Sequence, residues 1–126
     1  MKYVAFTIVL IGFLSFQSES NEDSFPKDFI ANHFDWPVGK PDGEGYYNAQ
    51  PFGKNNHLGD DLNAVTGGNS DLGHPIYSIA NGQVSFAEDI EGGWGNVIRV
   101  IHQLPDGTKV ESLYAHCDEI LVKKGD

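Results

Sequence analysis

Cysteine is nearly absent: Cys117 is the only one in 126 residues. A single thiol closes no intrachain disulfide, so a chain this short must be held by an apolar core or a bound metal. Basic residues are scarce as well, with eight Lys and Arg against eighteen Asp and Glu and a formal charge of −10. That balance excludes nucleic acid as a partner, because affinity for it rests on neutralising phosphates with Lys and Arg. It also excludes adhesion to an anionic surface by simple electrostatics. Beyond the first twenty residues no long helical pattern is visible, so a bundle or a coiled coil is excluded too.

The first twenty residues, MKYVAFTIVLIGFLSFQSES, carry one lysine, an apolar run from Tyr3 to Phe16, and then small polar residues. That order is the plan of a secretory signal cleaved near Ser18–Ser20. The run is shorter than the ~20 residues a bilayer-spanning helix needs. The expectation is a signal peptide over residues 1–20, a secreted or periplasmic product, and no stable membrane span after processing. No cysteine follows the apolar run, so no lipid attachment point is expected.

Residues 21–50 are rich in Gly, Pro and Asp and carry Phe25, Phe29, Phe34, Trp36, Tyr46 and Tyr47. They have no sustained period and read as loop with short extended pieces. Their aromatics are expected to close over a core, the alternative being a groove wall. The remainder is strand-like. PIYSIA (75–80) and QVSFAE (83–88) flank Asn81-Gly82, which predicts a hairpin with a type I′ turn. EGGWG (91–95) leads into NVIRVIHQ (96–103), LPDG (104–107) is a turn, TKVESLYAH (108–116) runs back, and ILV (120–122) begins a further short strand. Together these predict a mostly β, antiparallel domain.

The polar cluster NNHLGDDLNA (55–64) places His57 and Asp61 four apart with Gly59 between them, where a bend would let both side chains converge. By itself this is either a solvated turn or the first half of a metal site. In SLYAHCDEI (112–120), neighbours on a strand point to opposite faces, so His116, in alternation with Tyr114, diverges from Cys117. A Cys–His nucleophile pair is disfavoured on that ground, and Cys117 reads as a small buried filler.

Taken together, these segments carry a resemblance. HLGDDLN (57–63) resembles the H-x-G-x-D signature of the lysostaphin-type (LytM-like) zinc endopeptidases, which cut peptide bonds in bacterial peptidoglycan. GHPIYSIANGQVSFAED is similar to that family's G-x-P-V-x-A-x-x-D-G-x-V hairpin, with Asn81 in place of the usual acid. GGWGNVIRVIHQLPDGTKVESLYAH resembles its G-x-G-N-x-V-x-I-x-H…Y-A-H segment, and ILVKKGD the stretch that leads to its next strand. The resemblance covers about residues 51–126.

The resemblance implies that His57 and Asp61 bind Zn2+ and that His116 is a catalytic histidine outside the metal's first shell. Asp60 falls at a variable position and is not expected to be a ligand. His102 is expected to be structural, and His33 and His74 to lie on solvated turns. The implied fold is a small antiparallel β-sandwich of the barrel-sandwich hybrid (duplicated hybrid motif) type, and the implied partner is a peptidoglycan peptide. Peptide binding is expected in a groove between the loop after EDIEGGWG and the aromatic 34–52 region, with Trp94 either a wall residue or packed in a core or turn position. The family's H-x-H element, which supplies the third zinc ligand, occurs nowhere in these residues. The expectation is therefore a partial metallopeptidase domain over 51–126 whose C-terminal strands are missing, inactive as it stands although its parent is active. Two rivals from other classes are a degenerate member serving as a wall-binding or hydrolase-activating module, and a lipoyl-like carrier domain. The carrier needs a lysine at a hairpin tip, and Asn81-Gly82 offers none.

Overall fold

The computed structural model describes residues 25–126; the signal peptide expected over 1–20 lies outside the described residues. Five strands form among the described residues: β1 (Tyr46–Gln50), β2 (Asp61–Ala64), β3 (Gln83–Asp89), β4 (Asn96–Gln103) and β5 (Lys109–Cys117). They make two antiparallel sheets, β1–β2 and β3–β4–β5. The only helical pieces among the described residues are single 3-10 turns at Lys27–Phe29 and Lys54–Asn56. The chain is mostly β, as expected, and its two sheets do not close into a barrel. No described helix is long and apolar enough to cross a membrane.

Both sheets feed one core. Leu62 from β2, Val84 from β3, Val100 from β4, and Tyr114 and Cys117 from β5 pack with Val38, and Tyr46, Ile76, Ile79, Ala87 and Ile98 close around them. Glu111 fastens the three-stranded sheet from above. Its carboxylate accepts from Ser85 on β3 at 2.7 Å and pairs with Arg99 on β4. Ser85 is the extra residue of a bulge, since the β3–β4 register shifts between Val84 and Phe86.

The strands expected at 96–103 and 108–116 form within a residue of those limits, joined by the LPDG turn, which Gly107 closes by donating to the Leu104 carbonyl at 2.9 Å. Two expected strands do not form. PIYSIA pairs with no strand; Tyr77 N–H donates to the Pro37 carbonyl and Ile79 N–H to the Tyr114 hydroxyl. With no strand before it, Asn81-Gly82 has no hairpin to close, and neither residue takes the left-handed φ that a type I′ turn requires. Gly82 answers a different demand, close approach to β4: a Cβ there would lie 2.5 Å from the Ile101 carbonyl oxygen. ILV (120–122) is also not a strand, and Leu121 is 81% exposed. The backbone bonds to β3 come later, from Gly125 N–H to Val84 and from Val84 N–H to Asp126. Several of the aromatics expected over the core lie outside it. Phe34, Trp36 and Tyr47 are about half exposed, and of the 21–50 aromatics only Tyr46 packs on the core.

His102 is structural, as expected. It is fully buried, with Nδ1 donating to the Asn81 carbonyl at 2.9 Å and Nε2 2.8 Å from the Ser112 hydroxyl. The carbonyl can only accept, so the ring is held as the neutral Nδ1–H tautomer. Burial lowers its pKa below the ordinary imidazole value, only partly offset by the Asn81 carbonyl and Glu111. The unfolded imidazole therefore takes up a proton first as pH falls below about 6.5. Stability from this residue is complete above that pH and is lost below it, so Tm should fall between pH 7.5 and 5.5 in thermal scans. His102→Gln should flatten that slope while lowering Tm throughout. Gly82→Ala should cost about 1–3 kcal/mol in denaturant titration, because its Cβ meets backbone that cannot move aside.

Candidate metal centre

The turn before β2 is built to turn one histidine inward. Gly53, Asn55 and Asn56 are all left-handed, a conformation that Gly and Asn adopt at little cost. Gly53 N–H donates to the His57 carbonyl at 2.8 Å, and His57 N–H to Lys54 at 3.0 Å. The chain folds back so that His57 Nδ1 reaches the Gln50 carbonyl at the end of β1, 3.2 Å away. A carbonyl only accepts, so Nδ1 carries a proton and Nε2 is the nitrogen left facing Asp61. Nε2 lies 3.3 Å from Asp61 Oδ1, at the first residue of β2, and both side chains are largely buried. Gly59 is buried in the bend between them.

This pair suits a divalent cation. Donors each about 2.0–2.2 Å from a tetrahedral zinc lie ~3.3–3.5 Å apart, and one imidazole nitrogen with one carboxylate oxygen is a set zinc accepts. The Nδ1–H bond to a backbone carbonyl is the support that ligating histidines ordinarily have. Among the described residues, no cluster of three or more His, Cys, Asp or Glu side chains is placed to hold a metal. His57 and Asp61 bring two donor groups together, fewer than such a cluster needs. Asp60 turns away: its Oδ1 accepts from Phe52 N–H and from the Asn48 amide, both at 2.8 Å, which fastens the 52–60 loop to β1.

His116 reaches the same place from the other sheet. The β4–β5 register shifts between Asn96 and Ile98, so Ala115 and His116 together oppose Val97. His116 takes φ 58° in this bulge. The simple alternation expected for 112–117 is thereby broken: Tyr114 and Cys117, three apart, both face the core, while His116 leaves it. The divergence of His116 from Cys117 stands, but a bulge produces it. His116 lines an open cleft of about 310 Å³ with Asn56, His57, Leu58, Gly93 and Trp94. Desolvation lowers its pKa; the Asp61 carboxylate opposes that shift and His57 adds to it. An imidazole so placed is neutral at physiological pH and can both accept and donate a proton.

The aromatic 34–52 region does not line this cleft. Leu58, within the HLGDDLN segment itself, lines it together with Trp94, and residues 34–52 contribute only the Gln50 carbonyl behind His57. Neither contribution was read from the sequence. Leu58 sits at a variable position of the signature, and a backbone carbonyl leaves no trace in residue identity. Of the other histidines, His33 forms an exposed pair with Asp35 at 3.6 Å, and His74 Nδ1 is 2.8 Å from the Tyr46 hydroxyl. Neither approaches the cleft.

A β-rich domain with a His–Asp donor pair and a second histidine across one cleft has the features of a small peptidase. Residues 55–126 match the model of Peptidase family M23, and the chain belongs to that family. It is the family of the LytM and lysostaphin type, whose members are generally metallopeptidases. No curated protein and no solved structure matches the chain.

Cys117 has no part in this site. Its thiol is buried against the core and desolvation pushes its pKa up to about 11. In the native protein it should resist alkylation by iodoacetamide at pH 8, and in denaturant it should react at the rate of an ordinary thiol of pKa about 8.5. Mass spectrometry of the two samples distinguishes the states.

Proposed function

We propose that this chain is an exported zinc endopeptidase, or carries the metal-binding part of one, that cuts peptide cross-links or bridges of bacterial peptidoglycan. The observation that carries the reading is the 3.3 Å His57 Nε2–Asp61 Oδ1 pair, with its tautomer held by Gln50, in a chain of family M23. Export rests on the leader-like first twenty residues. The acidic charge is compatible with a substrate gripped through specific contacts rather than by charge attraction.

In this reading His57 and Asp61 hold zinc, and Cys117, raised in pKa and buried on the opposite side of β5, is no ligand. The chemistry a bound zinc supplies is Lewis acidity at the scissile carbonyl and acidification of water toward a pKa of ~7. The chain's own residues do the rest. Trp94 and Leu58 bound the cleft in which the substrate backbone lies, with Gly93 adding no side chain to obstruct it. His116, neutral and desolvated, takes a proton from water or donates a hydrogen bond to the oxyanion of the tetrahedral intermediate. The second reading is a non-catalytic module that binds the wall or activates another hydrolase, and it differs from the first in binding peptidoglycan without cutting it.

His57→Ala and Asp61→Ala should each abolish zinc uptake by elemental analysis. His116→Ala should keep the metal and lower release of soluble fragments from purified peptidoglycan by roughly 10²-fold or more. Zinc retained by both ligand variants contradicts the ligand assignment. Binding to the wall without any cleavage by the unsubstituted protein favours the module.

A further inference from the structure

We infer that Trp94 is a positioning residue for His116, gripping its backbone through a carbonyl and its ring through the indole face. This rests on the reading of His116 as the catalytic histidine. The β3–β4 loop is itself a fixed platform. Ile90 N–H donates to the Gly95 carbonyl at 3.0 Å, Gly95 N–H to Glu91 at 3.3 Å, and Glu91 N–H to Asp89 Oδ1 at 2.8 Å. Glu91, Gly92 and Gly95 are left-handed, which curls the loop so that Trp94 lies beside the end of β5.

Two contacts then converge on one residue. The Trp94 carbonyl accepts from His116 N–H at 3.0 Å, and the indole stacks parallel to the imidazole, with centroids 6.2 Å apart and 3° between planes. On the far side of the bulge, the Asn96 amide donates to the carbonyls of Cys117 and Asp118, both at 3.0 Å. The φ 58° of His116 is unfavourable for a residue with a Cβ and persists only where its surroundings over-determine it. These three hydrogen bonds bracket it. They fix the backbone, but an imidazole still turns about two side-chain bonds, and the flat indole face restricts those turns.

Core packing does not account for Trp94. It is 40% exposed and absent from the core cluster. The cleft it lines with His116 is otherwise bounded by Asn56, His57, Leu58 and Gly93. The geometry is that of a residue whose partner is His116.

The test compares Trp94→Ala and Trp94→Phe in the zinc-loaded protein, by NMR of the histidine ring protons and by peptidoglycan hydrolysis. In W94A the His116 ring signals should lose the indole's ring-current shift while those of His102 stay in place, which shows that the fold is intact. Zinc content should be unchanged and kcat should fall roughly 10-fold or more with KM within about twofold, as for a misplaced catalytic group. W94F, which keeps a flat ring, should retain part of the shift and most of kcat. Unmoved His116 signals in W94A overturn the inference, as does a raised KM with intact kcat, which would make Trp94 a substrate wall only. W94F behaving as poorly as W94A, with His102 unperturbed, also counts against it. If the unsubstituted protein hydrolyses no peptidoglycan, the proposed function fails, and the ring signals alone decide this inference.

Discussion

The one-residue bulge at Ala115–His116 is the constraint on which the site depends. Without it, strict alternation along β5 would put His116 on the same face as Tyr114, in the core, and Cys117 on the other. The extra residue lets Tyr114 and Cys117 both pack inward, so the core keeps its apolar contacts while an imidazole is delivered to the cleft. The cost is a left-handed backbone at a residue with a Cβ. The neighbouring hairpin loop offsets it with a carbonyl from Trp94 and an amide from Asn96. Bulges next to active sites that re-aim a side chain are a recurrent use of this irregularity.

The other half of the site uses the opposite strategy. His57 and Asp61 stand on a turn and the start of a two-stranded sheet, elements with little core of their own. What fixes them is local hydrogen bonding: left-handed Asn55 and Asn56 reverse the chain, Asp60 fastens the loop to β1, and Gln50 fixes the His57 tautomer. The Nδ1–H bond decides that Nε2 is the nitrogen turned toward Asp61. The two halves meet because Leu62 of β2 and Tyr114 of β5 share one core, so packing between the sheets sets how far His116 lies from the donor pair.

How much of this was legible in the sequence varied with the kind of signal. β4 and β5 were readable because β-branched residues flank a Pro-Asp-Gly turn, and the structure matches them nearly end to end. The same kind of apolar run misled at PIYSIA, because periodicity cannot tell a laddered strand from an extended segment bonded to a loop and a tyrosine hydroxyl. β1 and β2 lie in polar, glycine-rich stretches and were hidden by composition. The residues His57, Asp61 and His116 stood out through the family resemblance. Leu58 as a wall, the Gln50 carbonyl and the bulge under His116 did not, since they depend on long-range register rather than on residue type.

In the proposed site His57 Nε2 and Asp61 Oδ1 share one cation while His116 stands beside it, unligated. Anomalous diffraction at the zinc edge, from crystals of the zinc-soaked protein, tests this most directly. The predicted result is a single strong peak within bonding distance of both His57 Nε2 and Asp61 Oδ1, with the His116 ring parallel to Trp94 and outside the first shell. A peak held by His116, or one at His74 or Cys117 with none between His57 and Asp61, would contradict it.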